Sequence, residues 1–156
     1  MILLRGTWII LKFVKDKDNL LTYNQWSCGD YSKNLNGFQT NMSGRAFLSN
    51  EFSSNGINSI KVTPTINQYG MLRIPYNFIE GEHYLITLKC KNNINNCKLE
   101  LRNAANSTTY NVTIPVNTEL QEISLEFTAT DETLFHIWTY NSEEFIFVDD
   151  ISLITQ

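Results

Sequence analysis

The sequence is poor in the residues that mark several specialised protein classes. Its 156 residues contain 3 Cys, 3 Pro, 7 Gly and 2 His, and they include no long basic run. The formal net charge is −4, whereas binding to nucleic acid depends on clustered Lys and Arg. We therefore expect neither nucleic acid nor an anionic membrane surface among its partners.

The sequence also has no uninterrupted hydrophobic stretch long enough to cross a membrane. The apolar residues 1–14 are interrupted by an Arg-Gly pair, and a span needs roughly 20 predominantly apolar residues. No small-residue cleavage site follows, so the segment does not resemble a signal peptide. We predict a strand over Thr7–Phe13 and a solvated linker over Lys15–Asp18. Residues 1–18 would then form an N-terminal segment able to dock on a neighbouring domain or subunit.

The low cysteine count leaves the redox compartment open. Cys28, Cys90 and Cys97 cannot all pair within one chain. Cys90 and Cys97 flank an Asn-rich segment and could face each other across a hairpin, either as a disulfide or as two small buried thiols. No Cys or His pair has the spacing of zinc ligands, so a structural zinc site is not expected.

What the sequence does contain is alternation with a period of two residues. Asn, Ser and Thr dominate its polar residues, and no helical periodicity extends beyond a turn or two. From Asn58 onward, apolar and polar residues alternate in short segments separated by turn residues. We predict an all-β fold, an antiparallel β-sandwich with eight to nine main strands. The segments that carry this alternation are 60–63, 71–74, 83–91, 97–102, 109–115, 120–127, 133–140 and 145–153.

Residues 24–58 interrupt this regular pattern. They are dense in Asn, Ser and Gly and contain isolated aromatic residues. We predict long loops with short strands, and loops of this length in a compact domain usually bind or cover something.

Several segments, taken in order, resemble the secreted carbohydrate-binding modules of the CenC type, the family 4, 9 and 22 group found beside cellulases and xylanases. No single motif is specific, but their order and spacing are shared over Asn19–Leu153. The segments are Asn19-Leu-Leu-Thr22 followed by Trp26, Ser59–Thr63, Tyr69–Ile74, Gly81-Glu-His-Tyr84, Phe127–Thr130 and Phe147–Leu153.

The resemblance implies that residues 19–156 form one jelly-roll domain of the galactose-binding-like type. It also implies a structural Ca²⁺ held by Asp149 and Asp150, since calcium is bound by cages of oxygen ligands. The sequence departs from the family at Ser27, where an acidic residue often follows the N-terminal aromatic. The alternative is that the two aspartates accept hydrogen bonds from loop amides at the end of the strand.

The segment Thr133–Tyr140 has the composition of a sugar-binding strand. Alternation places Phe135, Ile137 and Thr139 in the core and leaves an aromatic and polar stripe on the opposite face. Sugars present C–H groups that stack on aromatic rings and hydroxyls that hydrogen-bond to polar side chains. The candidate carbohydrate-binding residues are Trp138, Tyr140, His136, Arg73, Trp26, Tyr69 and Tyr31. The alternative for these aromatics is packing in the core or under a loop.

No arrangement of residues indicates catalysis. Asp131-Glu132 and Glu143-Glu144 are adjacent carboxylates in turns, unlike the pair that flanks the bond in a glycosidase. Neither histidine lies in a recognisable nucleophile motif. We therefore expect a protein that is not an enzyme and that binds a polysaccharide or other glycan.

The alternative function is attachment or structure in a viral, phage or cell-surface assembly, where the domain would recognise a protein partner. Either function predicts an extracellular, cell-surface or virion-associated protein.

Overall fold

The alternating segments of the sequence form the strands of two sheets. The computed structural model describes residues 15–40, 45–140 and 142–156, and the predicted strand Thr7–Phe13 lies outside them. One short helix, α1, and ten strands occur in these ranges: α1 Tyr23–Trp26, β1 Gln39–Thr40, β2 Ala46–Ser49, β3 Ser59–Val62, β4 Tyr69–Pro75, β5 His83–Asn92, β6 Cys97–Asn103, β7 Thr108–Thr113, β8 Asn117–Thr128, β9 Glu132–Tyr140 and β10 Ile146–Thr155. Among the described residues, no helix has the length and apolar character needed to span a membrane.

The strands divide into two five-stranded antiparallel sheets, ordered β1-β4-β9-β6-β7 and β2-β3-β10-β5-β8. The predicted all-β sandwich is therefore confirmed. All eight predicted segments form strands, and the two additional strands, β1 and β2, are short elements within the polar region 24–58. From β3 to β6 and again from β7 to β10, the chain crosses from one sheet to the other, as expected for a jelly roll.

The core lies between the sheets and is filled by the inward residues of each strand. In β5 the alternation places Tyr84, Ile86, Leu88 and Cys90 inward, each at most 1% exposed. β6 supplies Cys97, Leu99 and Leu101 from the opposite sheet. Because side chains of a strand point alternately to its two faces, the remaining residues of these strands are available for the outer surfaces.

The cysteines are buried thiols. Cys28, Cys90 and Cys97 are all free, so the disulfide considered for Cys90 and Cys97 is not formed. The predicted hairpin between them is wrong, because β5 pairs with β8 and β10 whereas β6 pairs with β7 and β9. The Asn-rich connection crosses between the sheets instead of joining neighbouring strands of one sheet.

The region 24–58 is organised mainly by polar side chains. The Asn24 amide donates to the carbonyl oxygens of Asn34 and Asn36 at 3.1 and 2.8 Å. Asp30 is 1% exposed and accepts a hydrogen bond from the backbone N–H of Ile57 at 3.1 Å. Buried side-chain acceptors and donors thus satisfy backbone groups that no sheet pairs, which explains why an ordered region has so polar a sequence.

The closing strand β10 is tied to the same region by an aspartate. β10 has a bulge between Asp149 and Ser152, where Asp150 adopts a positive φ of 46°. Asp149 is fully buried, and its Oδ2 accepts from the backbone N–H groups of Ser54 and Asn55 at 2.7 and 3.2 Å. This carboxylate therefore fixes the loop that precedes β3 onto the last strand.

Asp149 makes the stability of the fold depend on pH. Burial raises the pKa of Asp149 to about 6, although hydrogen bonds from Ser54, Asp150 and Asn55 act in the opposite direction. The folded state therefore binds a proton more tightly than the unfolded state, whose Asp has a pKa near 3.9. Consequently, this contribution to stability is present below about pH 4 and is lost as the pH rises to about 6.

We predict that Asp149→Asn removes this dependence. Urea unfolding between pH 4 and pH 7 should show a smaller fall in unfolding free energy for the variant than for the native chain, by about 1.4 kcal/mol for each unit of pKa difference. The measurement compares the slopes of unfolding free energy against pH and not the absolute values. The asparagine side chain at position 149 has one acceptor fewer than the carboxylate, which changes absolute stability at every pH. Asp18→Asn removes one exposed carboxylate and is the control. Equal slopes for Asp149→Asn and the native chain would contradict the prediction.

Candidate functional site

The candidate site lies on the face of the β1-β4-β9-β6-β7 sheet that points away from the core. Phe135, Ile137 and Thr139 of β9 are fully buried inward, as the alternation predicted. His136, Trp138 and Tyr140 lie on the opposite face because they occupy the intervening positions. The stripe expected from the sequence therefore exists on the outer side of β9.

A polar row crosses the sheet at the level of His136. The register places Arg73 of β4 and Glu100 of β6 directly beside His136. Gln39 of β1 lies beside Arg73, and Asn111 of β7 lies beside Glu100. Since side chains at opposed positions share a face, one polar residue from each of the five strands of this sheet contributes to the row.

An aromatic group lies next to this row. The ring of Tyr69 is 4.6 Å from that of Tyr140 and 5.7 Å from that of Trp138, centroid to centroid. Tyr69 is 49% exposed, and Lys98 Nζ lies 5.8 Å from the centroid of the Trp138 ring. The face therefore combines exposed aromatic surface with hydrogen-bonding groups.

A cavity of about 260 Å³ opens where the aromatic group meets the polar row. Tyr140 does not line the cavity, but its ring lies against that of Tyr69 at an interplanar angle of 38°. The cavity is lined by Tyr69, Met71, Arg73, Arg102, Asn106, His136 and Trp138.

Glu100 is buried beneath this surface and is held by several donors. It is 3% exposed, and its Oε2 lies 3.1 Å from Arg102 Nη2, 3.2 Å from His136 Nε2 and 3.2 Å from Thr108 Oγ1. Burial raises the pKa of Glu100, but contacts with Trp138, His136 and Arg102 outweigh that effect and hold the pKa below its ordinary value. Glu100 is therefore ionised at neutral pH.

His136 is neutral in this environment. Its pKa is lowered to about 4, mainly by burial, with the positive charges of Arg102 and Arg73 adding to the effect of burial and Glu100 opposing it. Because Glu100 is a carboxylate that can only accept, Nε2 of the neutral imidazole carries the proton and donates to it. Nδ1 is then an acceptor, and it has no hydrogen-bond partner among the described residues.

Buried polar atoms without a partner are concentrated at this cavity. Within the described residues, Arg73 Nε, Arg102 Nε, His136 Nδ1 and Trp138 Nε1 all belong to cavity-lining side chains and lack a hydrogen bond. The indole N–H is near enough to Glu100 to lower the pKa of the carboxylate but does not reach hydrogen-bond geometry. Buried polar groups are almost always paired with protein or ordered water, so these side chains have hydrogen-bonding capacity at the cavity that the described residues do not use.

Two predicted site residues lie elsewhere. Trp26 is 7% exposed in α1, and Tyr31 is 59% exposed; both rings contact Tyr23, with centroids 6.1 and 5.4 Å away. The structure does not place them along the cavity, because α1 packs against β10 of the other sheet. A sugar contact by Trp26 or Tyr31 stays a prediction, separate from the site on β9.

The residues predicted for the site from the sequence did not include Met71, Arg102, Asn106 or Glu100. Alternation in 97–102 does indicate that Glu100 and Arg102 point away from the core. The missing information is that β6 pairs with β9, and no local pattern specifies which strands become neighbours.

The residues around Asp150 do not make a good calcium cage. Lys89 Nζ lies 2.9 Å from Asp150 Oδ2, which places a positive charge where the cation would bind. Asp149 accepts backbone N–H groups, and no cluster of three or more His, Cys, Asp or Glu residues occurs in the described chain. Calcium binding stays a prediction, and the contacts favour the amide-capping role of the aspartates.

Structures with the same fold include several carbohydrate-binding modules. A family 16 carbohydrate-binding module matches with a TM-score of 0.64 and 14% identity, over 81% of this chain and 96% of the module. The module TmCBM61, solved in complex with β-1,4-galactotriose, has a TM-score of 0.64 and 11% identity, over 88% of this chain and 99% of the module. The resemblance inferred from the sequence is therefore confirmed at the level of the fold.

The fold also occurs in a phage protein. The enzymatically active domain of bacteriophage CBA120 tailspike protein 4 matches with a TM-score of 0.69 and 11% identity, over 89% of this chain but only 22% of the tailspike chain. The sequence matches no protein-family model and no curated protein.

We predict that His136 stays neutral down to about pH 5. The folded pKa is about 4 and the ordinary value is near 6.5, so the unfolded state takes up a proton first as the pH falls. The contribution of neutral His136 to the free energy of unfolding is therefore lost as the pH falls from about 6.5 to about 4. Ring-nitrogen NMR shifts should show a neutral Nε2–H tautomer, with His83→Gln used to assign the signals. A His136 titration centred near pH 6.5 would contradict the prediction.

Proposed function

We propose that this chain is a non-catalytic carbohydrate-binding domain. It holds a soluble saccharide or a single glycan chain on the outer face of the β1-β4-β9-β6-β7 sheet. The observation that carries this proposal is the cluster of buried, unpartnered polar atoms of Arg73, Arg102 and His136 beside the exposed ring of Tyr69.

The chemistry of the cavity suits a sugar. Rings at 69, 138 and 140 supply apolar surface for the C–H faces of a pyranose. His136 Nδ1 can accept from a sugar hydroxyl, and the guanidinium N–H groups of Arg73 and Arg102 can donate to one. Mainly apolar walls with a few placed polar groups are the usual composition of small-molecule sites.

The comparisons support a glycan without naming it. One module of the same fold was solved with β-1,4-galactotriose, which makes galactan oligosaccharides a reasonable first ligand to test. Because one fold hosts many functions, the proposal depends on the side chains of this site and not on the likeness alone.

We predict that Trp138→Ala weakens saccharide binding by at least roughly thirtyfold, since truncating a central aromatic costs about 2 kcal/mol or more. Titration with β-1,4-galactan oligosaccharides and a wider glycan panel, followed by tryptophan fluorescence and calorimetry, measures the effect. Trp138→Phe keeps an aromatic ring and should retain part of the affinity.

The control for this experiment is Phe47→Ala, which removes an exposed aromatic ring from the other sheet and should leave affinity unchanged. Thermal melts establish that each variant is folded. Unaltered binding by folded Trp138→Ala would show that the site is elsewhere.

A second candidate function is attachment or structure within a phage or cell-surface assembly, with a protein as the partner. The likeness to a domain of a phage tailspike chain favours this candidate. The apolar residues 1–14 would supply the contact, by adding to an exposed sheet edge of a neighbouring subunit.

We predict, for this second candidate, that the full chain forms an oligomer that dissociates when residues 1–14 are removed. That truncation keeps every residue that the structure describes. Light scattering at several protein concentrations measures the mass of both forms. A full chain that is monomeric, or an oligomer that survives truncation, would count against assembly through this segment.

A further inference from the structure

The charge around the cavity differs in sign from that of the whole chain. The chain carries a formal net charge of −4. Among the cavity-lining residues that the structure describes, Arg73 and Arg102 are cationic and none is acidic. His136 is neutral, and Lys98 adds a further positive charge beside Trp138. A concave site lined by one sign of charge concentrates ligands of the opposite sign.

Glu100 offsets the charge of only one of these cations, Arg102, with which its carboxylate forms a salt bridge. It is almost fully buried and contacts Arg102, Thr108 and His136 through Oε2. Arg102 is also bound through Nη1 to the backbone oxygen of Asn106 at 2.7 Å. Glu100 and Arg102 thus form an ion pair at one side of the cavity, with Arg102 Nε alone of that guanidinium left without a partner among the described residues.

Arg73, on the other side of the cavity from Glu100 and Arg102, is a cation without a carboxylate partner among the described residues. It forms no salt bridge and no side-chain hydrogen bond with any described residue, and its Nε is buried. A buried donor on a charged group is costly to leave unpaired. The guanidinium fork matches the two oxygens of a carboxylate, or two oxygens of a sulfate ester, through parallel charge-assisted hydrogen bonds.

We propose that the cavity selects an acidic saccharide, one whose carboxylate or sulfate ester is bound by Arg73. The inference depends on the proposed carbohydrate-binding function and specifies the ligand class for that site. Stacking on the rings at 69 and 138 holds the sugar ring, and Arg73 discriminates by charge.

The test compares ligands that differ in one kind of acidic group. Oligogalacturonides are compared with their methyl esters, and a sulfated galactan oligosaccharide is compared with its desulfated form. We expect at least about tenfold tighter binding of one acidic ligand than of its neutral partner at low salt. We also expect that preference to shrink severalfold as salt is raised. The preferred pair distinguishes a carboxylate from a sulfate ester.

Variants at position 73 connect the preference to this residue. Arg73→Gln should abolish the preference, so that the acidic ligand and its neutral partner bind this variant with equal affinity. Arg73→Lys keeps the positive charge but loses the two parallel N–H donors of the guanidinium, so it should retain only part of the preference. This variant replaces Arg73→Gln in the test if Arg73→Gln does not fold. Lys17→Gln removes one exposed charge outside the cavity and is the control.

The outcomes separate the two proposals. Neutral and acidic ligands that bind equally would overturn the acidic selectivity and leave the carbohydrate-binding function standing. A preference that persists in folded Arg73→Gln would place the anion elsewhere and also overturn it. Binding of no saccharide at all would overturn both proposals.

Discussion

The position of β9 between β4 and β6 is the constraint on which both the core and the site depend. Its inward residues Phe135, Ile137 and Thr139 are fully buried, so the strand cannot shift by one residue without exposing them. The same restriction fixes His136 and Trp138 on the opposite face. The positions of the β9 side chains that line the cavity are therefore fixed by the packing of the core on the other face of the strand.

Beneath the cavity lie buried polar side chains, at positions where apolar side chains would avoid the cost of burying an ionisable group. Glu100 and His136 are almost completely buried, and burial of ionisable groups opposes folding unless they are hydrogen-bonded. Their mutual contact satisfies Glu100 and orients the imidazole of His136. Arg73 has no equivalent contact with a described residue. This contrast is the reason that we assign the proposed acidic ligand to Arg73.

The region 24–58 follows a different principle, in which polar side chains hydrogen-bond backbone groups that no strand pairs. Asp30 and Asp149 are both buried, and each accepts backbone N–H groups from the segment that precedes β3. The acidic pair in the closing strand, which suggested a metal from family resemblance, thus has a structural explanation in this chain. Likeness at this level of identity describes the fold, while ligand and partner depend on individual side chains.

The sequence alone determined the fold class, the main strands and the two faces of β9, because period-two alternation is a local property of the chain. It also singled out Arg73, His136 and Trp138, whose faces follow from that alternation. Only the tertiary structure decided that β6 lies beside β9, which brings Arg102 to the cavity, and that α1, which carries Trp26, packs against β10 of the other sheet. Strand order is set by packing between segments distant in sequence, and no local pattern encodes it.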